Sequence, residues 1–147
     1  MGALLLVLAA LAGATLPTQA GINSGLQVHW AGSPILASLV SFSVGTLALV
    51  VWCLVMRIGP AMPATGTTQW WHWTGGLLGA FFVSAVTYLA PRLGATSMVV
   101  LVLAGQVGAS VLLDHFGALG YQQKALNLPR LIGLVMVGGG VYLIRRF

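Results

Sequence analysis

Five long apolar stretches, almost free of charged residues, constrain this 147-residue chain more than any other feature of its sequence. A helix of about 20 mostly apolar residues crosses the hydrocarbon core of a bilayer. Pro34 and Pro129 stand where two of the stretches begin, and proline is well tolerated in the first turn of a helix. The sequence therefore predicts an all-α, multi-pass protein of the cell membrane, with one domain over residues 1–147. The five transmembrane helices are predicted at 3–26, 34–56, 70–90, 93–113 and 129–144.

Charge is too scarce for a water-soluble protein of this length. Only 5% of the residues are charged, six Lys or Arg and one acidic residue, whereas 59% are hydrophobic. Soluble domains carry about 25% charged residues. The basic residues are scattered and form no stripe that follows a phosphate backbone, so we expect no nucleic-acid partner. Membrane lipids, and anionic headgroups in particular, are the expected partners of these charges.

The apolar start of the chain also resembles a secretory signal, because Thr18-Gln19-Ala20 has the small-residue pattern of a cleavage site. A signal peptide begins with a positively charged region. The first Lys or Arg of this chain is Arg57, so we interpret the first segment as a true membrane span.

The basic residues are divided equally between the two sides of the predicted membrane. Five spans place Arg57, Lys124 and Arg130 on the side of the N-terminus, called side A, and Arg92, Arg145 and Arg146 on the other, called side B. Because Lys and Arg near the spans set orientation, this balance favours dual topology, with copies inserted both ways. A weak bias from the N-terminal amine or from a translocation factor is the alternative.

Dual topology would supply the second half of an inverted-repeat transporter. Many secondary transporters consist of two inverted repeats whose exchange of conformations gives alternating access. A five-helix chain without an internal repeat provides one such half, and an antiparallel homodimer would provide both.

Five motifs follow one another along the chain: Gln19-Ala20-Gly21-Ile22-Asn23, Trp71 to Ala80, Gly105-Gln106-Val107, Leu113 to Gly117 and Arg130 to Leu134. In order and spacing they resemble the YdcZ-like family of the drug/metabolite transporter superfamily over essentially the whole chain. The resemblance implies a five-helix half-transporter that pairs antiparallel, in a family whose members are proposed exporters. The last helix is also similar to that of small multidrug resistance transporters, and this similarity implies dimer packing through Gly133 and Gly140. Those relatives carry a glutamate in their first helix, where this chain has Gln19 and Asn23 instead.

Polar side chains inside spans need a partner or a wet cavity, because lipid satisfies no hydrogen bond. Gln19 and Asn23 lie four residues apart on one helix face, and Ser41 is predicted at a similar depth. With Gln106 and with aromatic help from Tyr88, they are the predicted substrate-binding residues of an uncharged, amide-lined site. Hydrogen bonding between helices, without any ligand, is the alternative role for these groups.

Asp114 is the only acidic residue, near the end of the fourth segment. It is expected either to pair with Lys124 or Arg130 or to act as a proton or gating site, together with His115, which can change charge near neutral pH.

No catalytic set or metal-ligand spacing is evident, so we expect a non-enzyme without cofactor or metal. The favoured function is transport of a small organic solute. A narrow dual-topology channel and a non-transporting assembly or regulatory subunit are the alternatives.

Overall fold

The computed structural model describes residues 2–59 and 69–147 of the chain. These residues form helices, turns and connecting segments without a β-strand. Within them, five helices are long and apolar enough to cross a membrane, which confirms the predicted number. Each candidate span begins within two residues of its predicted start, whereas several continue further than predicted. The candidate spans are Gly2–Ala31, Pro34–Val55, Trp70–Leu93, Ala95–Phe116 and Leu128–Arg146.

The first span consists of helix α1 (Gly2–Leu26) and a π-helical turn (Gln27–Ala31). Helix α1 continues through Pro17, so the departure from α-helical geometry comes ten residues later than this proline. The backbone N–H of Gly32 donates to the carbonyl oxygen of Gln27 at 2.8 Å. Gly32 then reverses the chain in the left-handed conformation, with φ of 66°, which glycine adopts without steric cost.

Helix α2 (Pro34–Val55) begins directly after this reversal. The Ser33 side chain accepts a hydrogen bond from the backbone N–H of Ile35, and Pro34 occupies the first turn. Both features suit a helix N-terminus, where backbone donors lack partners. Because only two residues separate the π-helical turn from α2, the end of the first span and the start of α2 lie side by side.

Helix α3 (Gly75–Leu93) follows a short 3₁₀ turn at Trp70–Trp73. The three tryptophans of this turn are exposed, as expected for aromatic residues at a membrane–water interface. The Phe42 ring of α2 lies 3.5 Å from the position that a Cβ atom would occupy at Gly79, so this side chain reaches α3 at van der Waals distance.

Contacts divide the chain into two compact units, residues 1–92 and 93–147. The second unit is a hairpin of α4 (Ala95–Phe116) and α5 (Leu128–Arg146). Gly117 ends α4 in the left-handed conformation, and the Asn127 side chain caps α5 by accepting from the backbone N–H of Arg130. The single-domain prediction stays a prediction.

The outer faces of the helices are apolar. Leu4, Leu54 and Leu77 each keep more than 70% of their surface exposed, and the fully buried positions are few and mostly small. A protein surrounded by lipid needs no apolar core of the usual size, because the lipid tails cover its apolar surface.

Candidate functional site

Small residues bring α1 and α2 into contact at one point of the first unit. Ala20 of α1 and Ala37 of α2 are both fully buried. Their methyl side chains are small enough to let the two helix backbones approach closely. At this contact the Ser41 hydroxyl donates to Oδ1 of Asn23 at 2.6 Å, and Asn23 is only 1% exposed. The junction therefore buries an amide between two apolar helices.

An open groove of about 570 Å³ runs beside this junction, and we call it the α1–α2 groove. Gln19 and Ser41 also border a second, smaller groove of about 230 Å³. The structure thus brings together three of the five residues predicted to bind a solute, Gln19, Asn23 and Ser41. The α1–α2 groove is lined by Leu11, Ala14, Thr15, Thr18, Gln19, Ile22, Asn23 and Ser41.

The hydroxyl groups near the groove mostly donate within their own helices. Thr15 donates to the carbonyl oxygen of Ala12 at 2.7 Å, and Thr18 donates to that of Ala14 at 3.2 Å. Ser38 of α2 similarly donates to a backbone carbonyl one turn earlier. These hydroxyl protons already have acceptors, so the amides are the groups best able to donate to a solute.

Three buried polar atoms of the first unit have no hydrogen-bond partner among the described residues: Nδ2 of Asn23, Oε1 of Gln27 and Oγ1 of Thr87. Gln27 was not predicted as a site residue, and it lies one residue beyond the predicted first span, 3–26. A signal for it exists in the sequence, since residues 19, 23 and 27 recur every four positions and all carry amides. Thr87 of α3 was not predicted as a site residue either.

Tyr88 lies near the end of α3 and is paired with a cation. The Arg92 guanidinium lies 3.5 Å from the centroid of the Tyr88 ring, and its Nη1 donates to the Tyr88 carbonyl oxygen at 2.6 Å. This ring face is therefore occupied by a positive charge. Tyr88 remains 46% exposed.

Gln106 lies in the second unit, on an exposed position of α4. One turn further along α4, Ser110 lines a small cavity of about 50 Å³ together with Leu113, Asp114 and Tyr121. The predicted role of Gln106 in solute binding stays a prediction.

Asp114 and His115 both hold the loop between α4 and α5. Oδ2 of Asp114 lies 3.3 Å from Nη2 of Arg130, which is one of the two partners expected for it. Nδ1 of His115 accepts from the backbone N–H of Leu126 at 3.0 Å, and the His115 carbonyl oxygen accepts from the Gln123 side chain. Their proposed proton or gating role is a separate property that stays a prediction.

Gly133 and Gly140 of α5 leave one side of the hairpin open. Apart from the adjacent residues and the backbone of α5 itself, no atom of the described residues lies within 4 Å of the position that a Cβ atom would take at either residue. Packing within this unit therefore does not require these two glycines.

The described residues contain no group of three or more His, Cys, Asp or Glu side chains arranged to hold a metal ion.

Two comparisons with known proteins indicate the same family. A family model described as "Putative inner membrane exporter, YdcZ" matches residues 4–143. "Inner membrane protein YdcZ" of Escherichia coli (strain K12) is 28% identical over 123 residues, which cover 82% of each chain. No solved structure matches this sequence. Together with the five candidate spans, these similarities identify a multi-pass protein of the inner, cytoplasmic membrane.

Proposed function

Because this chain belongs to the YdcZ family of inner membrane proteins, we propose that it exports a small organic solute as an antiparallel homodimer that works by alternating access. The family description supports a transport role. The solute, the dimer and the mechanism are our proposal. One five-helix chain would form one inverted repeat, and a second copy in the opposite orientation would form the other.

The observation that carries the proposal is the buried Asn23–Ser41 junction beside the α1–α2 groove. An amide removed from water is costly unless its hydrogen bonds are made. Ser41 satisfies Oδ1 of Asn23, while Nδ2 lacks a partner among the described residues. If the junction served packing alone, an apolar residue at position 23 would make the folded protein more stable. We infer that the amide is kept because a solute binds there.

The charges of the first unit favour a solute that is neutral, zwitterionic or weakly polar and aromatic. The only acid of the chain, Asp114, is paired with Arg130 and lies in the other unit. In the first unit, Arg92 already covers the Tyr88 ring with a positive charge. A permanently cationic solute at the α1–α2 groove would find no counter-ion there and would lose its hydration without compensation.

The distribution of basic residues supports insertion in both orientations, since each unit is balanced by itself. In the first unit, Arg57 follows α2 and Arg92 ends α3, at opposite ends of the helices when successive spans alternate in direction. In the hairpin, Lys124 and Arg130 lie near the start of α5, while Arg145 and Arg146 lie at its end. Neither unit gives a Lys or Arg bias that would fix one orientation.

Flux measured with purified protein tests this proposal. Proteoliposomes loaded with labelled tryptophan, tyrosine and benzamide should release at least one of them faster than protein-free liposomes do. A release rate that saturates with solute concentration indicates a carrier, whereas a rate that rises linearly indicates a channel. If every solute is released at the same rate from proteoliposomes and from protein-free liposomes, a non-transporting subunit is favoured and the proposal is contradicted.

A further inference from the structure

We propose that the C-terminal end of α5 binds one anionic phospholipid, with its phosphate at Arg145 and Arg146 and an acyl chain on the apolar surface beside them. This inference goes beyond the proposed transport function, because it assigns a ligand to a surface that lies away from the α1–α2 groove. The surface is an open groove of about 390 Å³, which we call the α5 groove. It is lined by Gly138, Val141, Tyr142, Arg145 and Arg146.

The residues of the α5 groove share one face of the helix, and that face is accessible. Their spacing from Gly138 is three, four, seven and eight residues, so all five lie within about 140° around the helix axis. Val141 is half-buried and the other four are exposed. The volume is also sufficient for a ligand, since small-molecule sites measure about 300–1,000 Å³.

Arg145 and Arg146 are adjacent cations without an anionic side chain nearby. Asp114 is the only acidic residue of the sequence, and its contact with Arg130 is the one ion pair within residues 2–59 and 69–147. Arg130 precedes Arg145 by 15 residues, which is about 22 Å along α5. The C-terminus of a helix carries about half a negative charge, and this offsets only part of two guanidinium charges. The groove therefore keeps positive charge that attracts an anion.

The lining of the groove changes from charged to apolar in the direction of the membrane interior. Arg145 and Arg146 lie in the last turn of α5, Tyr142 lies about one turn before them, and Gly138 lies about 10 Å before Arg145. A phospholipid presents its groups in the same order: the phosphate, the glycerol esters and the acyl chains. Each guanidinium can bind phosphate oxygens through two parallel N–H bonds. The Tyr142 hydroxyl can donate to an ester oxygen.

Gly138 leaves room for an acyl chain at the apolar end of the groove. Neighbouring residues and the α5 backbone aside, no described atom lies within 4 Å of the position that a Cβ atom would take at Gly138. An acyl chain can therefore lie directly against the helix backbone and gain van der Waals contact there. A free phosphate ion would use only the charged end. The shape of the groove thus favours a phospholipid over inorganic phosphate.

The α5 groove and the glycine face predicted for dimerisation lie on different sides of the helix. Gly140 is about 160° away from Gly138 around the axis of α5. A second copy that packs at Gly140 would leave the groove open to lipid, so one chain can hold the lipid and the second copy at the same time.

Native mass spectrometry of the protein purified in detergent measures this binding directly. The probes are dioleoyl phosphatidylglycerol, dioleoyl phosphatidylcholine and inorganic phosphate. The two lipids have the same acyl chains and both carry a phosphate, but only phosphatidylglycerol has a net negative charge. We expect it to bind at least about tenfold more tightly than phosphatidylcholine, because the choline ammonium is repelled by two guanidinium groups. Inorganic phosphate at the same concentration should not bind.

A change of charge tests the phosphate end of the groove. Arg145→Gln/Arg146→Gln should weaken phosphatidylglycerol binding about tenfold or more. Arg57→Gln/Lys124→Gln is the matched control, because it removes the same charge from two exposed residues outside the groove. This control should keep the wild-type affinity.

A change of shape tests the acyl-chain end without removing any charge. Gly138→Leu fills the groove and should weaken phosphatidylglycerol binding about threefold or more. Gly139→Leu is the matched control, since Gly139 is adjacent in sequence but does not line the groove, and it should keep the wild-type affinity.

These measurements do not depend on solute flux, which tests the proposed function separately. Equal affinities for the two lipids, or wild-type affinity in Arg145→Gln/Arg146→Gln, would overturn the lipid site. Inorganic phosphate that binds as tightly as phosphatidylglycerol would indicate a simple anion site and overturn it as well. Equal affinities in Gly138→Leu and Gly139→Leu would mean that charge alone attracts the lipid and that the groove does not hold it.

Discussion

Oδ2 of Asp114 and Nη2 of Arg130 lie 3.3 Å apart, joining the end of α4 to the first turn of α5. The backbone supports this pair, because the Asp114 carbonyl oxygen accepts from the N–H of Lys124 at 2.7 Å and Arg130 donates to the Lys124 carbonyl oxygen at 3.1 Å. Asp114 thus holds both the connecting loop, at Lys124, and the first turn of α5, at Arg130, against the end of α4. This arrangement gives the single acid of the chain a structural role that does not depend on proton transfer.

Asp114→Asn should cost little stability and should leave transport unchanged if the pair only holds the loop. Both side chains are about 30% exposed, so solvent screening limits the pair to at most about 1 kcal/mol. A double-mutant cycle with Arg130→Gln, measured by unfolding in detergent, gives the coupling energy. Loss of transport in Asp114→Asn with unchanged stability would instead support the proton or gating role.

Gly117→Ala should destabilise the α4–α5 hairpin by about 1–2 kcal/mol. Gly117 has φ of 59°, a conformation that costs a residue with a Cβ roughly this amount, and the added Cβ would lie 3.1 Å from Cβ of Gln123. Gly108→Ala is the matched control, since Gly108 lies within α4 and, apart from the backbone of α4, its Cβ would meet no described atom within 4 Å. Thermal unfolding in detergent should show a lower Tm for the first variant and an equal or higher Tm for the second. Equal Tm values in both variants would contradict the strain argument.

The wild-type protein should place its C-terminus on both faces of the membrane. To measure this, Cys53 is replaced by Ala, a cysteine is added after Phe147, and labelling by a membrane-impermeant thiol reagent is compared before and after permeabilisation. Two lysines added to the N-terminus should convert the mixture into a single orientation, because each adds to the basic count of side A. Two added glutamines serve as the control and should leave the mixture as it is. A wild-type C-terminus confined to one face would reject dual topology.

Gly140→Leu should weaken dimerisation, because Gly133 and Gly140 are seven residues apart and so lie within about 20° of each other around α5. A leucine would fill the open space at this face and hold a second copy away. Gly138→Leu is the control, since Gly138 lies roughly 160° away from Gly140 around the helix. Crosslinking in bilayers should show fewer dimers for Gly140→Leu than for Gly138→Leu. Equal dimer fractions would mean that this glycine face is not the interface.

Asn23→Ala and Gln106→Ala should each abolish transport while expression and dimerisation persist. Asn23→Ala also removes the partner of Ser41, so Ser41→Ala is measured beside it to separate a lost hydrogen bond from a lost solute contact. If Ser41→Ala transports the solute and Asn23→Ala does not, the loss of transport is due to the Asn23 amide and not to the lost hydrogen bond. Normal transport in both Asn23→Ala and Gln106→Ala, or misfolding of both, would assign these amides to packing.

The sequence by itself determined the five spans and several of their ends. The bilayer imposes a length of apolar helix that is visible without any tertiary contact, and the caps at Ser33 and Asn127 and the prolines at 34 and 129 act within one helical turn. The equal division of basic residues is likewise a property of the chain order, because alternating spans fix the side of each loop.

Only the tertiary structure decided which polar groups find partners. Asp114 was expected to pair with either Lys124 or Arg130, and the path of the loop brings the Arg130 side chain to it while Lys124 contributes its backbone. Ser41 reaches Asn23, whereas Gln27 and Thr87 keep buried atoms that have no partner among the described residues. A hydrogen bond forms only when donor and acceptor come within about 3 Å. Helix approach and rotation set such distances, and the spacing of residues along the chain does not specify them.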